Sequence, residues 1–251
     1  MNSDIITVLI AIQARSTSKR FPQKIFQNIG NKSVLQRVID VACGAKKHIE
    51  RPSNKYKIKC IVVGLIPKDD EQLKSYIINS RAVQKNNCEH VVLGDEENVF
   101  SRYSAAQAQF NPDYIVRITS DCPLLQDIII SKHINVAVIN GVDYASNVDE
   151  KFRLIADGLD CEIISKKAMR WLEENNKTPH DLEHVTTAIR RVMPTKELRM
   201  AAIIPRIDTS NLKMSLDTPE DLDRMRSYHH ILDFKQNEAR RIYGSRNVFE
   251  L

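Results

Sequence analysis

The sequence predicts an α/β sandwich, three layers built on a mostly parallel sheet, and three observations carry that prediction. The chain enters its first element with Ile6-Thr7-Val8-Leu9-Ile10-Ala11-Ile12, an apolar run that reads as a central strand buried on both faces. Strand-like and helix-like segments then alternate three times in succession, which implies parallel strands joined by right-handed crossovers. With 251 residues, 42% of them hydrophobic and 27% charged, the chain is long and apolar enough to bury a full α/β core as one domain over residues 1–251.

Taken in order, Ser33 and Gln36 have capping-box spacing ahead of Val34-Leu35-x-x-Val38-Ile39-x-x-Ala42, an amphipathic helix. Residues 58–64, Ile-Lys-Cys-Ile-Val-Val-Gly, read as a strand, 69–80 as a helix, 90–93 as a short strand and 99–110 as a helix. Residues 114–119 form the next strand. The region 143–204 is less regular, with strand-like pieces at 143–146 and 161–164. Residues 50–55 are a polar connection, and the tail from about Lys235 is basic and expected to pack loosely. Repeats and low-complexity tracts are absent.

The first strand runs into a loop with four cations, Arg15, Lys19, Arg20 and Lys24. In open α/β sheets ligands lie beyond the carboxyl ends of the strands, so these charges either face an anionic substrate or form a solvated basic loop. Arginine's planar fork suits phosphate or carboxylate oxygens, and lysine supplies a compact charge. Two aspartates occupy comparable places. Asp121 follows the strand at 114–119, and Asp217 precedes Thr218, Pro219 and Asp221, where Thr218 reads as an N-cap, Pro219 as the first helical residue and Asp221 as the capping-box acid. Each alone is an ordinary turn or cap residue. Opposite a polycationic loop, the two together form a divalent-metal site of the kind magnesium uses, one or two carboxylates completed by phosphate oxygens and water.

Composition excludes several classes. The net charge of +5 fits anionic small substrates. No long Lys/Arg tract, zinc-finger spacing or aromatic RNA-binding motif is present, so no nucleic-acid partner is expected. Cys43, Cys60, Cys88, Cys122 and Cys161 are odd in number, dispersed and without a C-x-x-C pair, which points to reduced thiols; Cys122 reads as a packing residue. The first residues carry no charged-then-apolar leader, and no apolar run approaches the roughly eighteen residues that cross a bilayer, so the expected location is the cytoplasm, with no membrane partner.

The motifs resemble one family. Ala14-Arg15-Ser16-Thr17-Ser18-Lys19-Arg20-Phe21-Pro22-Gln23-Lys24 is similar to the loop Ala-Arg-x-Gly-Ser-Thr-Arg-Leu-Pro-Gly-Lys of the cytidylyltransferase family that includes spore coat polysaccharide biosynthesis protein F, related to the synthetases of CMP-Kdo and CMP-sialic acids. Gly94 to Tyr103 resembles Gly-x-x-x-x-Val-Leu-x-Arg-Tyr, and Val116 to Leu124 resembles Val-Arg-Ile-Thr-Gly-Asp-Cys-Pro-Leu. Asp143-Tyr144-Ala145-Ser146-Asn147, Asp157-Gly158-Leu159-Asp160-Cys161-Glu162, Leu182-Glu183-His184-Val185-Thr186 and Leu216 to Leu222 follow in the family's order, so the likeness spans about residues 5–230.

The resemblance implies a Rossmann-like nucleotide-binding sheet of the nucleotide-diphospho-sugar transferase type, and transfer of CMP from CTP to an anionic sugar acceptor, a Kdo- or sialic-like acid, with release of pyrophosphate for surface polysaccharide synthesis. It implies that Ala14, Arg15, Ser16, Thr17, Ser18, Arg20 and Lys24 bind the nucleotide with Arg117 and Ser120. Arg15, Lys24, Asp121 and Asp217 would carry catalysis, the two aspartates holding Mg2+. Residues 143–204 would bind the acceptor and form a homodimer interface; Asp160 and Glu162 alternate on a strand and would grip acceptor hydroxyls. His184 would either contact the acceptor or cap the helix containing Asp181. Arg117 would either face the site or pair with Asp113 or a helix carboxylate. Thr17, Gln23 and Ser120 stand where the family has glycines; their loss weakens a main-chain phosphate nest, while Thr17 and Ser18 add hydroxyl donors. That departure keeps two alternatives open: a nucleotidyltransferase for a sugar phosphate or phosphonate, and an inactive nucleotide-binding subunit.

Overall fold

Ile6–Gln13 forms β1, and Val8 to Ile12 are almost completely shielded from solvent. A strand with no polar face must lie between two covering layers, and its side chains divide by the twofold period of a strand. Val8, Ile10 and Ile12 enter one core; Leu9 and Ala11 enter the other. The computed structural model describes residues 5–51, 56–79, 90–149, 151–232 and 248–250.

β1 lies between two parallel neighbours, β4 (Ile58–Pro67) and β6 (Tyr114–Thr119), and β5 (His90–Gly94) continues the parallel sheet beyond β4. On the other side β6 pairs antiparallel with β8 (Glu162–Ser165), and β8 antiparallel with β7 (Tyr144–Ser146). β7 runs parallel to β9 (Met200–Ile203), which pairs antiparallel with β10 (Val248–Glu250). The order is β10-β9-β7-β8-β6-β1-β4-β5, with a separate hairpin of β2 (Asn28–Ile29) and β3 (Lys32–Ser33). Helices α1 (Val34–Ile49), α2 (Glu71–Asn79) and α4 (Asp127–Asn140) supply one core; α3 (Val99–Phe110), α5 (Lys166–Asn175), α6 (Pro179–His184) and α7 (Thr187–Arg191) supply the other. This is the predicted three-layer α/β architecture. A small third cluster, Ile29, Val34, Leu216, Leu222 and Met225, seats α8 (Pro219–Leu232) against the β2/β3 hairpin.

Local chemistry explains where the elements begin and end. The helix at 99–110 and the strand at 114–119 occur at the expected positions. The strand at 58–64 continues to Pro67, and α2 starts only at Glu71 because the Asp70 carboxylate accepts from Leu73 N at 3.1 Å. At α1 half of the expected capping box forms: Ser33 Oγ accepts from Gln36 N at 3.0 Å, while the Gln36 amide donates along the helix to Asp40 at 2.9 Å. Ser80, residues 52–55 and the tail from Lys235 to 247 lie outside the described residues. Among its described residues, the irregular-looking region 143–204 holds three strands and three helices, two of which, α6 and α7, are too short to show a helical period in the sequence.

The order of the strands positions the site. From β1 the chain steps outward to β4 and β5, then returns to place β6 on β1's other side. The crevice between β1 and β6 is therefore a topological switch point, where the loops leaving the two strands diverge and leave room for a ligand. The two strands end in register, Gln13 opposite Thr119, so residues 14–24 and 120–126 flank that crevice.

Candidate active site

The loop after β1 is held from below. Ser16 donates through both its N–H (2.9 Å) and its hydroxyl (2.8 Å) to Asp70 Oδ2, and the Thr17 hydroxyl donates to Glu96. Beneath the loop, Arg102 is 1% exposed and donates to the carbonyls of Asp95 (2.8 Å), Glu96 (2.8 Å) and Ala14 (3.3 Å). These ties replace part of what glycine would supply. Gln23 N donates to Ser16 O at 2.9 Å, closing the loop, and Gln23 takes φ 56°, ψ 23°, the left-handed conformation that glycine adopts freely and other L residues adopt at a cost of about 1–2 kcal/mol. Arg15 and Lys19 remain exposed, and Ser18 Oγ accepts from Phe21 N at 3.4 Å. Ser120 is buried with its N–H committed to Gln13 O at 2.9 Å, so it ties β6 to β1 and presents no free N–H of its own.

Lys24 is the centre of the arrangement. Its side chain is 10% exposed, and its ammonium donates to Leu216 O at 2.6 Å, to Asp121 Oδ2 at 2.8 Å and to Asp217 Oδ1 at 3.4 Å. Asp121 and Asp217, 96 residues apart by their numbers, thus converge on one cation. Burial raises the Asp121 carboxyl, but the charge and hydrogen bond of Lys24 outweigh it and hold the group below its ordinary range. Asp217 is also reached by Arg20 (2.8 Å) and Lys213 (3.3 Å). Its direction is fixed by the predicted cap of α8: Asp221 Oδ2 accepts from the N–H groups of Asp217 (2.9 Å) and Thr218 (3.0 Å), and Asp221 N donates back to Thr218 Oγ1 at 3.3 Å. The acid at this cap serves the helix, and the one before it faces the ligand crevice.

Two carboxylates around one cation suit a divalent metal that takes few protein ligands. Among the described residues no group of three or more His, Cys, Asp or Glu could hold a metal ion. The donor set of Asp121 and Asp217 fits Mg2+, which binds through one or two carboxylates and completes its shell with phosphate oxygens and water.

Two residues behave differently from the expectation. Glu162 is 1% exposed, with Oε2 accepting from Arg117 Nη1 at 2.6 Å and Oε1 accepting from Tyr144 Oη at 2.5 Å. A carboxylate so enclosed cannot grip an acceptor hydroxyl, and the assignment of Glu162 as an acceptor ligand is corrected: burial raises its carboxyl, Arg117 and Arg190 more than offset this, and it stays ionised inside the fold. Arg117, expected either at the nucleotide or paired with Asp113 or a helix carboxylate, spends its charge on this strand carboxylate opposite it in the β6/β8 ladder. Asp113 instead accepts from Thr7 N at 2.8 Å.

Asp160 remains partly open, its side chain 28% exposed, and it accepts from Arg153 Nη2 at 2.7 Å. His184 ends α6, whose N-terminus is capped by Thr178 with Asp181 in a full capping box, so His184 is not the cap. It is exposed and lies 4.4 Å from His180 between ring centroids. Both line a cavity of about 490 Å³ with Asp149, Lys151, Arg190 and Arg191. The sequence reading passed over Lys151, Arg190 and the loop-holding Asp70 and Arg102. Asp70 had a readable signal, an Asp three residues before an apolar helix position; the cavity residues had none, because three separate segments bring them together.

The whole chain can be compared with known proteins. The Bacillus subtilis spore coat polysaccharide biosynthesis protein SpsF is 21% identical over 88% of this chain and 86% of its own. Among solved structures, a cytidylyltransferase from Leptospira borgpetersenii superposes with a TM-score of 0.73 at 23% identity, covering 96% of this chain and 98% of that one. CMP:2-keto-3-deoxy-manno-octonic acid synthetase complexed with CTP gives 0.61 at 13% identity, covering 90% and 99%. Rv0371c of Mycobacterium tuberculosis in complex with manganese gives 0.54 at 13% identity, covering 89% and 99%. A family model described as cytidylyltransferase matches residues 9–243, and with it the chain belongs to the cytidylyltransferase family, a family of nucleotidyltransferases.

Proposed function

We propose that this enzyme transfers CMP from CTP to the hydroxyl of a sugar acid, releasing pyrophosphate. The observation that carries the reading is the convergence of Lys24, Asp121 and Asp217 at the β1/β6 switch point. Arg15, Arg20 and Lys24 would hold the triphosphate, the two arginines by paired hydrogen bonds and the lysine as a point charge. Asp121 and Asp217 would hold Mg2+, which when bound neutralises phosphate oxygens of the nucleotide. Phosphoryl-type transfer rests on positioning and charge compensation. The pinned loop over Asp70 and Arg102 supplies the first, and the cationic side chains supply the second. Lys24 in this reading gives up part of its contact with the aspartates to reach the nucleotide. The family and the CTP complex of the fold neighbour support CTP as the donor.

The acceptor class rests on the cavity that His180 and His184 line. Lys151, Arg190 and Arg191 line it against the single carboxylate of Asp149, with Arg191 also paired to Asp181 at 2.6 Å and Arg190 acting on Glu162; with two histidines as further hydrogen-bonding groups, this lining supports a carboxylate-bearing sugar. The likeness to SpsF supports a place in polysaccharide synthesis.

The test is pyrophosphate release from CTP, UTP, ATP and GTP with Mg2+ and a panel of 2-keto-3-deoxy sugar acids beside their neutral analogues. Turnover with CTP and an acid, and at most slow turnover with purine nucleotides, is expected; equal turnover with ATP or GTP, or with neutral sugars alone, overturns the reading.

A further inference from the structure

The turn between α6 and α7 holds a conformation that few side chains accept. Thr186 N donates to His184 O at 2.7 Å, and Val185 between them takes φ 65°, ψ −56°, a γ-turn of the strained hand. A β-branched residue tolerates positive φ least, and such strain persists only where the surroundings over-determine it. Here they do. Val185 is wholly buried, Asn176 Nδ2 donates to Val185 O at 2.7 Å, and Asp181 Oδ1 accepts from Thr187 Oγ1 at 2.7 Å and from Arg191 Nη2 at 2.6 Å. The turn thereby fixes the angle between the two short helices, and with it the side chains that they contribute to the cavity of about 490 Å³: His180 and His184 from α6, Thr187, Arg190 and Arg191 from α7.

Of the three cations lining that cavity, two have partners within the chain. Arg191 is paired with Asp181, and Lys151 Nζ donates to Met193 O at 3.0 Å. Asp149, the carboxylate of the lining, has Oδ1 accepting from Lys151 N at 2.9 Å. Arg190 differs. Among the described residues its guanidinium has no hydrogen-bond or ion-pair partner, and its Nε is shut away from solvent. Glu162, the carboxylate on which its charge acts, has committed one oxygen to Arg117 and the other to Tyr144. A guanidinium that has lost part of its hydration without gaining a partner costs free energy until an anion completes it.

Building on the cytidylyl-transfer reading, we propose that Arg190 is the specificity-determining residue for the acceptor: its guanidinium takes the carboxylate of the sugar acid as its counter-ion, in a cradle preset by the Val185 turn. The sheet puts this cradle on the same edge as the nucleotide crevice. β6 and β7 run in the same direction, each antiparallel to β8 between them, and Arg117 and Ser146 both lie opposite Glu162. The residues leaving β7 toward Asp149 and Lys151 therefore depart from the edge at which Asp121 leaves β6, two strand spacings or about 10 Å across the sheet, a gap that an arginine side chain and one sugar can span. The field of the cavity has the required sign. Burial lowers the His184 imidazole below its ordinary value, and the charges of His180, Arg117 and Arg190 add to this against the opposing charge of Glu183.

The experiment measures pyrophosphate release from Mg2+·CTP with 3-deoxy-manno-octulosonic acid, with N-acetylneuraminic acid and with the neutral carboxamide of each, for wild type, Arg190→Met and Arg190→Lys, together with melting temperatures. In Arg190→Met the KM for the acid should rise about ten- to hundredfold and the preference for acid over carboxamide should vanish, while the KM for CTP stays within about threefold of wild type. Its melting temperature should stay within a few degrees, because Arg117 and Tyr144 still hold Glu162. Arg190→Lys keeps the charge without the planar fork and should show an intermediate preference; should Arg190→Met fail to fold, an unchanged preference in Arg190→Lys overturns the assignment. So does a KM for the acid within about threefold of wild type in Arg190→Met, an equal rise for acid and carboxamide, or a rise confined to CTP, which would give the guanidinium to a nucleotide phosphate. Calorimetric titration of the two acids into wild type and Arg190→Met, with Mg2+ and a methylene-bridged CTP analogue that cannot release pyrophosphate, separates the two readings. An acid that binds wild type and not Arg190→Met, with no pyrophosphate released from CTP, overturns the cytidylyl-transfer reading and leaves the anchor standing; equal binding to both proteins overturns the anchor alone, and neither binding nor turnover overturns both.

Discussion

Two ion-paired clusters meet around β6, with Arg117 inside the strand and Asp121 just beyond its end, and they serve different ends. Lys24 with Asp121 and Asp217 is partly open: the carboxylates are 31% and 17% exposed, and three cations compete for Asp217. Arg117 with Glu162 is closed, its carboxylate 1% exposed and hydrogen-bonded through both oxygens. An exposed pair exchanges partners at little cost, while a buried pair broken on one side leaves an uncompensated charge in a medium that cannot solvate it. The difference is between a site that can admit a ligand and a strut that holds β6 to β8. Charge alone does not distinguish them; access does.

The comparison is broken most severely at the strut. Glu162→Ala leaves the Arg117 guanidinium buried without its partner and should cost about 3–5 kcal/mol of stability, read as a large drop in melting temperature or as insoluble protein. The double change Arg117→Met with Glu162→Met removes both charges and should recover much of that loss. Its sign with pH follows from the carboxyl: Glu162 is held below its ordinary value, so its contribution is present above the unfolded-state pKa and disappears only as acid carries the pH below that range. Urea melts at pH 7 and in mild acid measure both. If Glu162→Ala melts within a degree or two of wild type, the pair is no strut.

At the open cluster the same kind of change should leave the fold intact. Asp217→Asn keeps the cap at Asp221 and leaves Lys24 bonded to Asp121 and Leu216 O, so the melting temperature should stay within a few degrees. Turnover should nevertheless fall by about a hundredfold, with a raised Mg2+ requirement, and Asp121→Asn with Asp217→Asn should be scarcely worse than the worse single change, as expected of groups that act on one ion. Independent, multiplicative losses across a Mg2+ titration would show that the two aspartates do not work together.

Much of this contrast was legible before the structure, and the residues show why. β1, α3 and β6 follow from local periodicity, and the Thr218-Pro219-x-Asp221 cap from chemistry within four residues. Asp121 and Asp217 were singled out because each was placed at a strand end, and Lys24 as one of the four cations of the loop, given its role by the family resemblance. Their meeting was not legible from any one segment, since it depends on β6 returning to the far side of β1. Glu162 and Asp160 mark the limit. Both were read as acceptor ligands from their alternation on one strand, yet one is enclosed by Tyr144 and Arg117 and the other is open at 28%. Sequence period assigns a face, while enclosure is set by what lies opposite, here a side chain 45 residues away.

The smallest expected effect concerns the loop that serves the open cluster. Gln23 holds a left-handed backbone directly before Lys24, and its conformation directs the chain so that Lys24 turns inward beneath Asp121 and Asp217. Gln23→Gly relieves the steric cost of that conformation, about 1–2 kcal/mol, but returns part of it because glycine has more freedom to lose on folding. The net result should be a gain of at most about 1 kcal/mol, a melting temperature raised by a few degrees, and a KM for CTP that is unchanged or lower. Gln23→Val should act in the opposite direction, since a β-branched side chain tolerates positive φ least. Both variants are read by thermal melts and CTP titration. Equal stability of the Gly and Val variants would mean that the loop is held by Asp70, Arg102 and Glu96 alone, and that Gln23 follows the geometry without contributing to it.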